Sequence, residues 1–458
     1  MTKFHLIGIG GAGMSVVAQL LHDAGAEVSG SDQSDSAILR QLQEQGISVY
    51  SSHDAAQVPE DAVVVVSTAI RDNNPELAQA RRRGQRVIHR SQALALAATG
   101  MRFVAVAGAH GKTTTSGMLS VLLSQAKLDP SFAVGSIVKG YNSGAHLGSG
   151  DIFVAEADES DGSFLNYSPT VEIVTSVEPD HLDFYGTFEQ VKTAFANFAE
   201  NLVSEGVLVA FADNPGSAEL AAQTRASRRV VTYGQSDSAD VKIRECADTG
   251  LGQAVKIQSA QGQYTLNLAV GGIHNARNAT AAWAAACELG VDPQTAAESL
   301  SAFTGTARRF DPRGEACGVR IFDDYAHHPT EVAMAVAQAR KVAGEGRVIV
   351  AFQPHLYSRT LSFAQEFADA LDGADLAFVS DIYRAREDER DDVDATTITT
   401  LAQRAVPSGS LADTAEQVAE QARLGDVVLT MGAGDITTAG PQILKLLKAR
   451  EAQSGGMK

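Results

Sequence analysis

Phe103-Val104-Ala105-Val106-Ala107-Gly108-Ala109-His110-Gly111-Lys112-Thr113-Thr114-Thr115 decides how the rest of the chain is read. Its first five residues are apolar and valine-rich, the composition of a buried strand, and the run breaks at Gly108. Leu119, Leu122 and Leu123 then recur at helical spacing, which predicts a helix starting near Lys112. Strand, glycine-bounded loop, Lys-Thr and helix form the layout that wraps nucleotide phosphates. Glycines let backbone N–H groups close on the oxygens, and the helix N-terminus adds partial positive charge. In that layout Gly108, Ala109, His110, Gly111 and Thr114 line the phosphates, Lys112 reaches the β- and γ-phosphates, and the Thr113 hydroxyl ligates Mg²⁺. The eight-residue version of this pattern needs Gly where Val106 stands, so this loop is the tighter Gly-x-x-Gly-Lys-Thr-Thr-Thr. A Gly-Lys turn opening an ordinary helix is the competing reading.

Upstream, Phe4–Ile9, Glu27–Ser31, Ala62–Ser67 and Arg86–Ile88 read as strands of a parallel sheet within residues 1–98. The first turn, Gly8-Ile9-Gly10-Gly11-Ala12-Gly13, matches Gly-x-Gly-x-x-Gly between strand and helix, with Asp32 close to the usual distance. Such a turn places a diphosphate on the helix N-terminus and an acidic side chain on a ribose hydroxyl. A purely structural glycine turn competes, and the glycines do not settle which nucleotide is held.

Downstream, residues 99–306 carry two further buried strands, Asp151–Ala155 and Val171–Val177. Each ends in a polar cluster, Glu156-Ala157-Asp158-Glu159-Ser160-Asp161 and Glu178-Pro179-Asp180-His181-Leu182-Asp183. Ligands of open α/β sheets sit beyond the carboxyl ends of the strands. Glu156 and His181 beside a phosphate loop therefore suggest a divalent-cation site, and hard oxygen ligands favour Mg²⁺. Solvated loop charges are the alternative, for Asp158 and Asp161 above all. Three alternating stretches between Ala239 and Leu268 predict a small antiparallel patch, and an Ala-rich helix opens at Ile273. On it Asn275 and Asn278 lie one turn apart and share a face, as amides holding a base or phosphate should; helix capping competes. In residues 307–458, Val319–Phe322, Val348–Phe352, Leu376–Val379 and Val427–Met431 alternate with helices and predict a further parallel sheet.

Composition bounds the function. At 458 residues, 44% hydrophobic and 20% charged, the chain reads as a soluble globular protein of about three domains. A net charge of −18 without a basic block argues against extended nucleic-acid or anionic-membrane binding, while leaving room for a small anionic substrate. Cys246, Cys287 and Cys317 are too widely spaced for a disulfide framework or a metal pair, which fits a reducing cytosol. The N-terminus does not read as a signal peptide, and no apolar run approaches the roughly 20 residues of a membrane span. The expectation is a cytoplasmic protein without membrane insertion, monomeric or homodimeric.

The order of the motifs is itself informative. Gly-Ile-Gly-Gly-Ala-Gly-Met, Gly-Ala-His-Gly-Lys-Thr-Thr-Thr, Glu-Ala-Asp-Glu-Ser-Asp and Glu-Pro-Asp-His-Leu-Asp are followed by His-Asn-Ala-Arg-Asn, Asp-Asp-Tyr-Ala-His-His-Pro-Thr-Glu and Phe-Gln-Pro-His. In this order, and over essentially its whole length, the chain resembles the Mur ligase family, and the first motif resembles the alanine-adding branch. The resemblance implies an α/β fold of three domains. These are an N-terminal Rossmann-like parallel sheet for a UDP-sugar (1–98), a central ATPase-like α/β domain (99–306), and a C-terminal Rossmann-like domain (307–458) closing over ATP and binding the amino acid. It implies ATP and Mg²⁺, and ligation of L-alanine to the lactyl carboxylate of UDP-N-acetylmuramate through an acyl phosphate in peptidoglycan precursor synthesis. A related member adding another amino acid or a peptide is the alternative. Carried over by position, Lys112 holds phosphates, and Thr113, Glu156 and His181 organise the metal. Asn278 meets adenine with Asn275 near the nucleotide, Arg309 meets the γ-phosphate and Asp324 the ATP ribose. Lys112, Glu156, His181 and Arg309 form the catalytic set. Gly8, Gly10, Gly11, Ala12, Gly13, Asp32 and Ser160 fall to the UDP-sugar, and Tyr325, His327, His328, His355 and Arg359 to the amino acid. The carbamylated lysine that some members carry beside the metal has no counterpart here.

Overall fold

The apolar runs of the first hundred residues become strands β1 (Lys3–Ile7), β2 (Glu27–Ser31), β3 (Ser48–Tyr50), β4 (Val63–Val66) and β5 (Val87–His89). They pair all-parallel in the order β3-β2-β1-β4-β5. In this computed structural model, which describes residues 2–33, 35–385 and 387–455, β1 stops two residues before the apolar run does. Gly8, at φ +80°, turns the chain there into the helix Ala12–Asp23, which buries Met14, Val17, Leu20 and Leu21. Strand β3, Ser-Val-Tyr, has too little apolar character to be read from sequence.

The second sheet has ten strands: β6 (Arg102–Ala107), β7 (Ser131–Val138), β8 (Ser143–His146), β9 (Ile152–Glu156), β10 (Val171–Val174), β11 (Val207–Phe211), β12 (Arg229–Gly234), β13 (Val241–Thr249), β14 (Gly252–Ser259) and β15 (Gly262–Leu268). Its order is β15-β14-β13-β12-β11-β10-β6-β9-β7-β8. Strand β6 lies between β9 and β10, so both acidic strand ends flank the phosphate loop. The antiparallel patch β13–β15 continues this sheet, because β13 pairs with β12. The strands β7 and β8 carried no sequence signal, since Gly135 and Ser136 interrupt the apolar alternation of β7. Helix Lys112–Gln125 packs on the Ala-rich helix Ile273–Glu288, which is apolar around most of its girth and correspondingly buried. Phe4, Leu6 and Val28 of the first sheet share one apolar cluster with Phe103 and Phe153 of the second. Both sheets lie within one compact unit, Met1–Thr306.

The other unit, Ala307–Lys458, holds a six-stranded sheet. Its strands are β16 (Asp311–Ala316), β17 (Val319–Asp324), β18 (Val348–Phe352), β19 (Leu376–Ser380), β20 (Ala405–Gly409) and β21 (Val427–Met431), in the order β16-β17-β21-β18-β19-β20. The four expected strands, β17, β18, β19 and β21, are parallel and β20 joins them in parallel, but β16 runs antiparallel to β17, so the sheet is mixed. Both edge strands contain proline and few apolar residues, which protects an edge and also hides it from hydrophobic patterning.

Candidate active site

Strand β6 ends at Ala107, and the loop turns on Gly108 (φ +122°) and Gly111 (φ +82°) before the helix starts at Lys112. A Cβ on Gly108 would lie 2.3 Å from Thr175 Oγ1 and 2.7 Å from the Ser176 backbone nitrogen; on Gly111 it would lie 2.6 Å from Asn278 Oδ1. The first glycine is thus demanded by the close approach of the chain leaving β10, and the second by a side chain of the Ala-rich helix. The Thr175 hydroxyl donates to Ala107 O (3.1 Å) and to His110 O, while the His110 N–H donates to Ser176 Oγ at 3.3 Å. His110 Nε2 lies 3.2 Å from Glu178 Oε2. No described side chain caps the helix at its start.

The Lys112 ammonium donates to Gly108 O at 2.8 Å and to Glu159 Oε1 at 2.7 Å. Burial disfavours its charge, but Glu159, Asp158 and Glu156 outweigh burial and raise its pKa, so the amine stays protonated. The Thr113 hydroxyl donates to Glu156 Oε2 at 3.2 Å, and Glu156 Oε1 accepts from Gly135 N at 2.6 Å. Thr113 and Glu156 are therefore brought together. His181, in a left-handed conformation (φ +54°), points its Nε2 at Asp180 (3.5 Å) and Glu159 (3.9 Å). The Asp183 side chain lies outside the described part.

Among the described residues no three His, Cys, Asp or Glu side chains converge on one point. Two hard oxygen donors, Thr113 and Glu156, fit Mg²⁺, which ordinarily fills the rest of its shell from phosphate and water.

Both aspartates of the first acidic cluster are engaged by neighbouring side chains. Desolvation pushes Asp158 up, yet Lys112, Arg90 and the hydrogen bonds from Ser160 outweigh it and hold the carboxyl at about 2. Its Oδ2 is 3.2 Å from Arg90 Nη2, and Ser160 N donates to its Oδ1 at 3.1 Å. Asp161 accepts from the Thr68 hydroxyl at 2.5 Å. Arg90 and Glu159 were missed from sequence: Arg90 belongs to no motif, and nothing local distinguishes Glu159 from its acidic neighbours.

In the first glycine-rich turn, Gly10 N donates to Asp32 Oδ2 at 2.9 Å, and a Cβ on Gly10 would meet that oxygen at 2.9 Å. Asp32 here binds the turn's own backbone. A Cβ on Gly13 would lie 2.0 Å from Arg90 Nη1, so a guanidinium occupies the space over the helix start. Gly8 supplies the turn, while Gly11 and Ala12 begin the helix, which no described side chain caps. Of the two helix amides, Asn278 abuts the phosphate loop at Gly111, whereas Asn275 donates to Gly271 O at 2.7 Å and ties down its own helix start.

In the other unit, Asp324 ends β17 and accepts from Phe310 N (2.7 Å) and Ala326 N (2.8 Å). The guanidinium groups of Arg308 and Arg309 lie 4.8 Å and 5.3 Å from the Tyr325 ring centre, and Arg309 Nη1 is 3.7 Å from Glu331 Oε1. Burial lowers the His327 pKa to about 4, so this ring, whose Nδ1 is 3.0 Å from Tyr325 O, is neutral at pH 7. His355 stacks on Tyr383 at 5.6 Å and meets His327 at 6.1 Å, and Arg359 is close enough to His327 to oppose its protonation. His328 instead caps helix Pro329–Ala343, forming a capping box with Glu331.

Burial pushes the Asp324 carboxyl up to about 6, with Arg309 pulling the other way. A carboxyl whose folded pKa exceeds its unfolded value costs stability as pH rises between the two. From about pH 4 to 6 this group is expected to destabilise the fold by about 3 kcal/mol, a cost that persists above pH 6. Carbon-detected NMR titration should give a midpoint near 6, moving higher in Arg309→Ala; a midpoint near the ordinary 3.8 would contradict the burial argument.

Three family models match in succession: Mur ligase family, catalytic domain, over residues 3–102; Mur ligase middle domain over 106–286; and Mur ligase, glutamate ligase domain, over 308–434. The UDP-N-acetylmuramate–L-alanine ligase of Paenarthrobacter aurescens is 50% identical over 449 residues, covering 97% of both chains. That of Kineococcus radiotolerans is 51% identical over 459 residues, covering 98% of this chain and 97% of the relative. Among solved structures, the UDP-N-acetylmuramate–alanine ligase of Thermotoga maritima superposes with a TM-score of 0.82 at 27% identity, over 99% of this chain and 100% of the other.

Proposed function

The chain belongs to the Mur ligase family, and from that premise we infer that it joins L-alanine to the lactyl carboxylate of UDP-N-acetylmuramate while ATP becomes ADP and phosphate. The near-full-length likeness to ligases of that specificity carries the reading. The carboxylate attacks the γ-phosphorus, and the amino group of L-alanine displaces phosphate from the resulting acyl phosphate. The first step brings two anions together. A unit-charge pair at about 3.5 Å repels by roughly 5 kcal/mol at an effective dielectric near 20, so cations between the partners decide the rate.

The roles of individual residues follow as part of the same proposal. Lys112, kept protonated by its carboxylate neighbours, moves from Glu159 to the β- and γ-phosphates. Backbone N–H groups from Gly108 to Thr114 close on the phosphate oxygens. Thr113 and Glu156, with His181 as the third ligand, would hold Mg²⁺, which would supply charge neutralisation. Asn278 serves adenine, Arg309 the γ-phosphate and Asp324 the ribose. The turn Gly8–Gly13, with Asp32 and Ser160, serves the UDP-sugar, and Tyr325, His327, His355 and Arg359 serve the amino acid. Near pH 7 about a tenth of an α-amino group is already neutral, so a base adds less than the cations do. We assign residues 1–98 to the UDP-sugar, 99–306 to ATP and 307–458 to the amino acid. No helix among the described residues is long and apolar enough to cross a membrane. The cytosol is proposed as the compartment because ATP is consumed.

The test is phosphate release from ATP with UDP-N-acetylmuramate, with and without L-alanine. Release should depend on L-alanine and exceed that with glycine, L-serine or a stem tripeptide. Release driven by the tripeptide alone would transfer the chain to another branch of the family.

A further inference from the structure

Glu159 stands at the mouth of the phosphate loop with no task in the reaction just described. It is 3% exposed, and Tyr185 donates its hydroxyl to the Glu159 carbonyl at 2.5 Å, which fixes the residue's backbone. One carboxylate oxygen holds the Lys112 ammonium at 2.7 Å; the other, Oε2, is buried with no hydrogen-bond partner among the described residues. The charged groups around it are unevenly matched. Lys112 is its bonded cation and the His181 ring stands 3.9 Å away. Arg90 is engaged by Asp158, and Glu156 adds a further negative charge felt by Lys112.

Nucleotide phosphates recruit Lys112. Once they do, Glu159 loses its bonded cation and remains as a buried carboxylate facing the phosphates. Water cannot relieve that charge, and like charges in a poorly solvated site repel strongly. A nucleotide that arrives with a divalent cation brings two positive charges to the same mouth. We propose that Glu159 is a specificity-determining residue that makes nucleotide binding conditional on a divalent cation, by holding Lys112 and by opposing metal-free phosphates with a fixed carboxylate. This rests on the reading that Gly108–Thr114 holds ATP.

The experiment is calorimetric titration of ADP into the full chain, once with EDTA and once with Mg²⁺, for wild type, Glu159→Gln and Glu159→Asp. Glutamine keeps the shape and removes the charge; aspartate keeps the charge. Glu159→Gln should bind metal-free ADP about tenfold more tightly, equivalent to about 1.4 kcal/mol, while its affinity for Mg²⁺-loaded ADP changes about threefold or less. The ratio of the two dissociation constants then falls, and Glu159→Asp keeps the wild-type ratio. A merely structural glutamate would move both affinities together and downward, and an unchanged ratio in Glu159→Gln overturns the proposal. Should that variant fail to fold, Glu159→Ala is read by the same ratio. Wild type that binds neither form of ADP would instead refute the nucleotide assignment of the loop. Wild type that binds ADP but shows no amino-acid-dependent phosphate release would refute the ligase reading alone.

Discussion

Replacing Lys112 by Ala is expected to lower kcat/KM for ATP by about 10³-fold or more, the upper end for losing one charged donor at a developing negative charge. The loss has two parts. The ammonium, 2.7 Å from Glu159 and 2.8 Å from Gly108 O, is already oriented over the loop, so the phosphates gain a charge whose ordering is largely done. Its removal also leaves the buried Glu159 without its bonded cation, while Asp158 keeps Arg90. An unpaired buried charge typically costs about 3–5 kcal/mol, so the alanine variant should also unfold at lower denaturant. Lys112→Met with Glu159→Gln separates these effects: stability should largely return, and turnover should not. Initial rates of phosphate release together with urea melts make the measurement. Near-normal turnover in Lys112→Ala would remove the loop from the chemistry.

Gly108→Ala should destabilise the protein by about 2–4 kcal/mol and abolish detectable turnover through loss of loop geometry. A side chain at φ +122° is strained whatever surrounds it, and here the added Cβ would meet Thr175 Oγ1 at 2.3 Å and the Ser176 backbone at 2.7–2.9 Å. Those backbone atoms follow directly from β10, a fully buried strand in the middle of the sheet, and cannot retreat without breaking its pairing with β6. Gly111→Ala offers the internal comparison. Its φ of +82° is nearer the left-handed region that side chains tolerate, and the obstruction is the Asn278 side chain rather than backbone. Chemical melts should rank wild type above Gly111→Ala, and Gly111→Ala above Gly108→Ala. The reverse order would mean that the loop yields more easily than the strand beside it implies.

Sequence by itself determined whatever depends on neighbours along the chain. Apolar valine-rich runs broken by glycine placed β1, β2, β4, β6, β9, β10 and the parallel strands β17, β18, β19 and β21, because strand burial and turn sterics are written into adjacent residues. The Lys-Thr helix start was legible for the same reason. Reading failed at β3, β7, β8, β16 and β20, short, interrupted or polar strands whose pairing comes from the sheet they join, and it also passed over the apolar β11 and β12. Tertiary structure alone decided the partners across segments. Lys112 is bonded to Glu159 while Thr113 takes Glu156; Asn278 reaches the loop while Asn275 does not; and Arg90, from the first sheet's last helix, is what keeps Gly13 small. Ion pairs and close contacts depend on distances of a few ångströms between residues tens of positions apart. Those distances are fixed by strand order and register, which no local pattern contains.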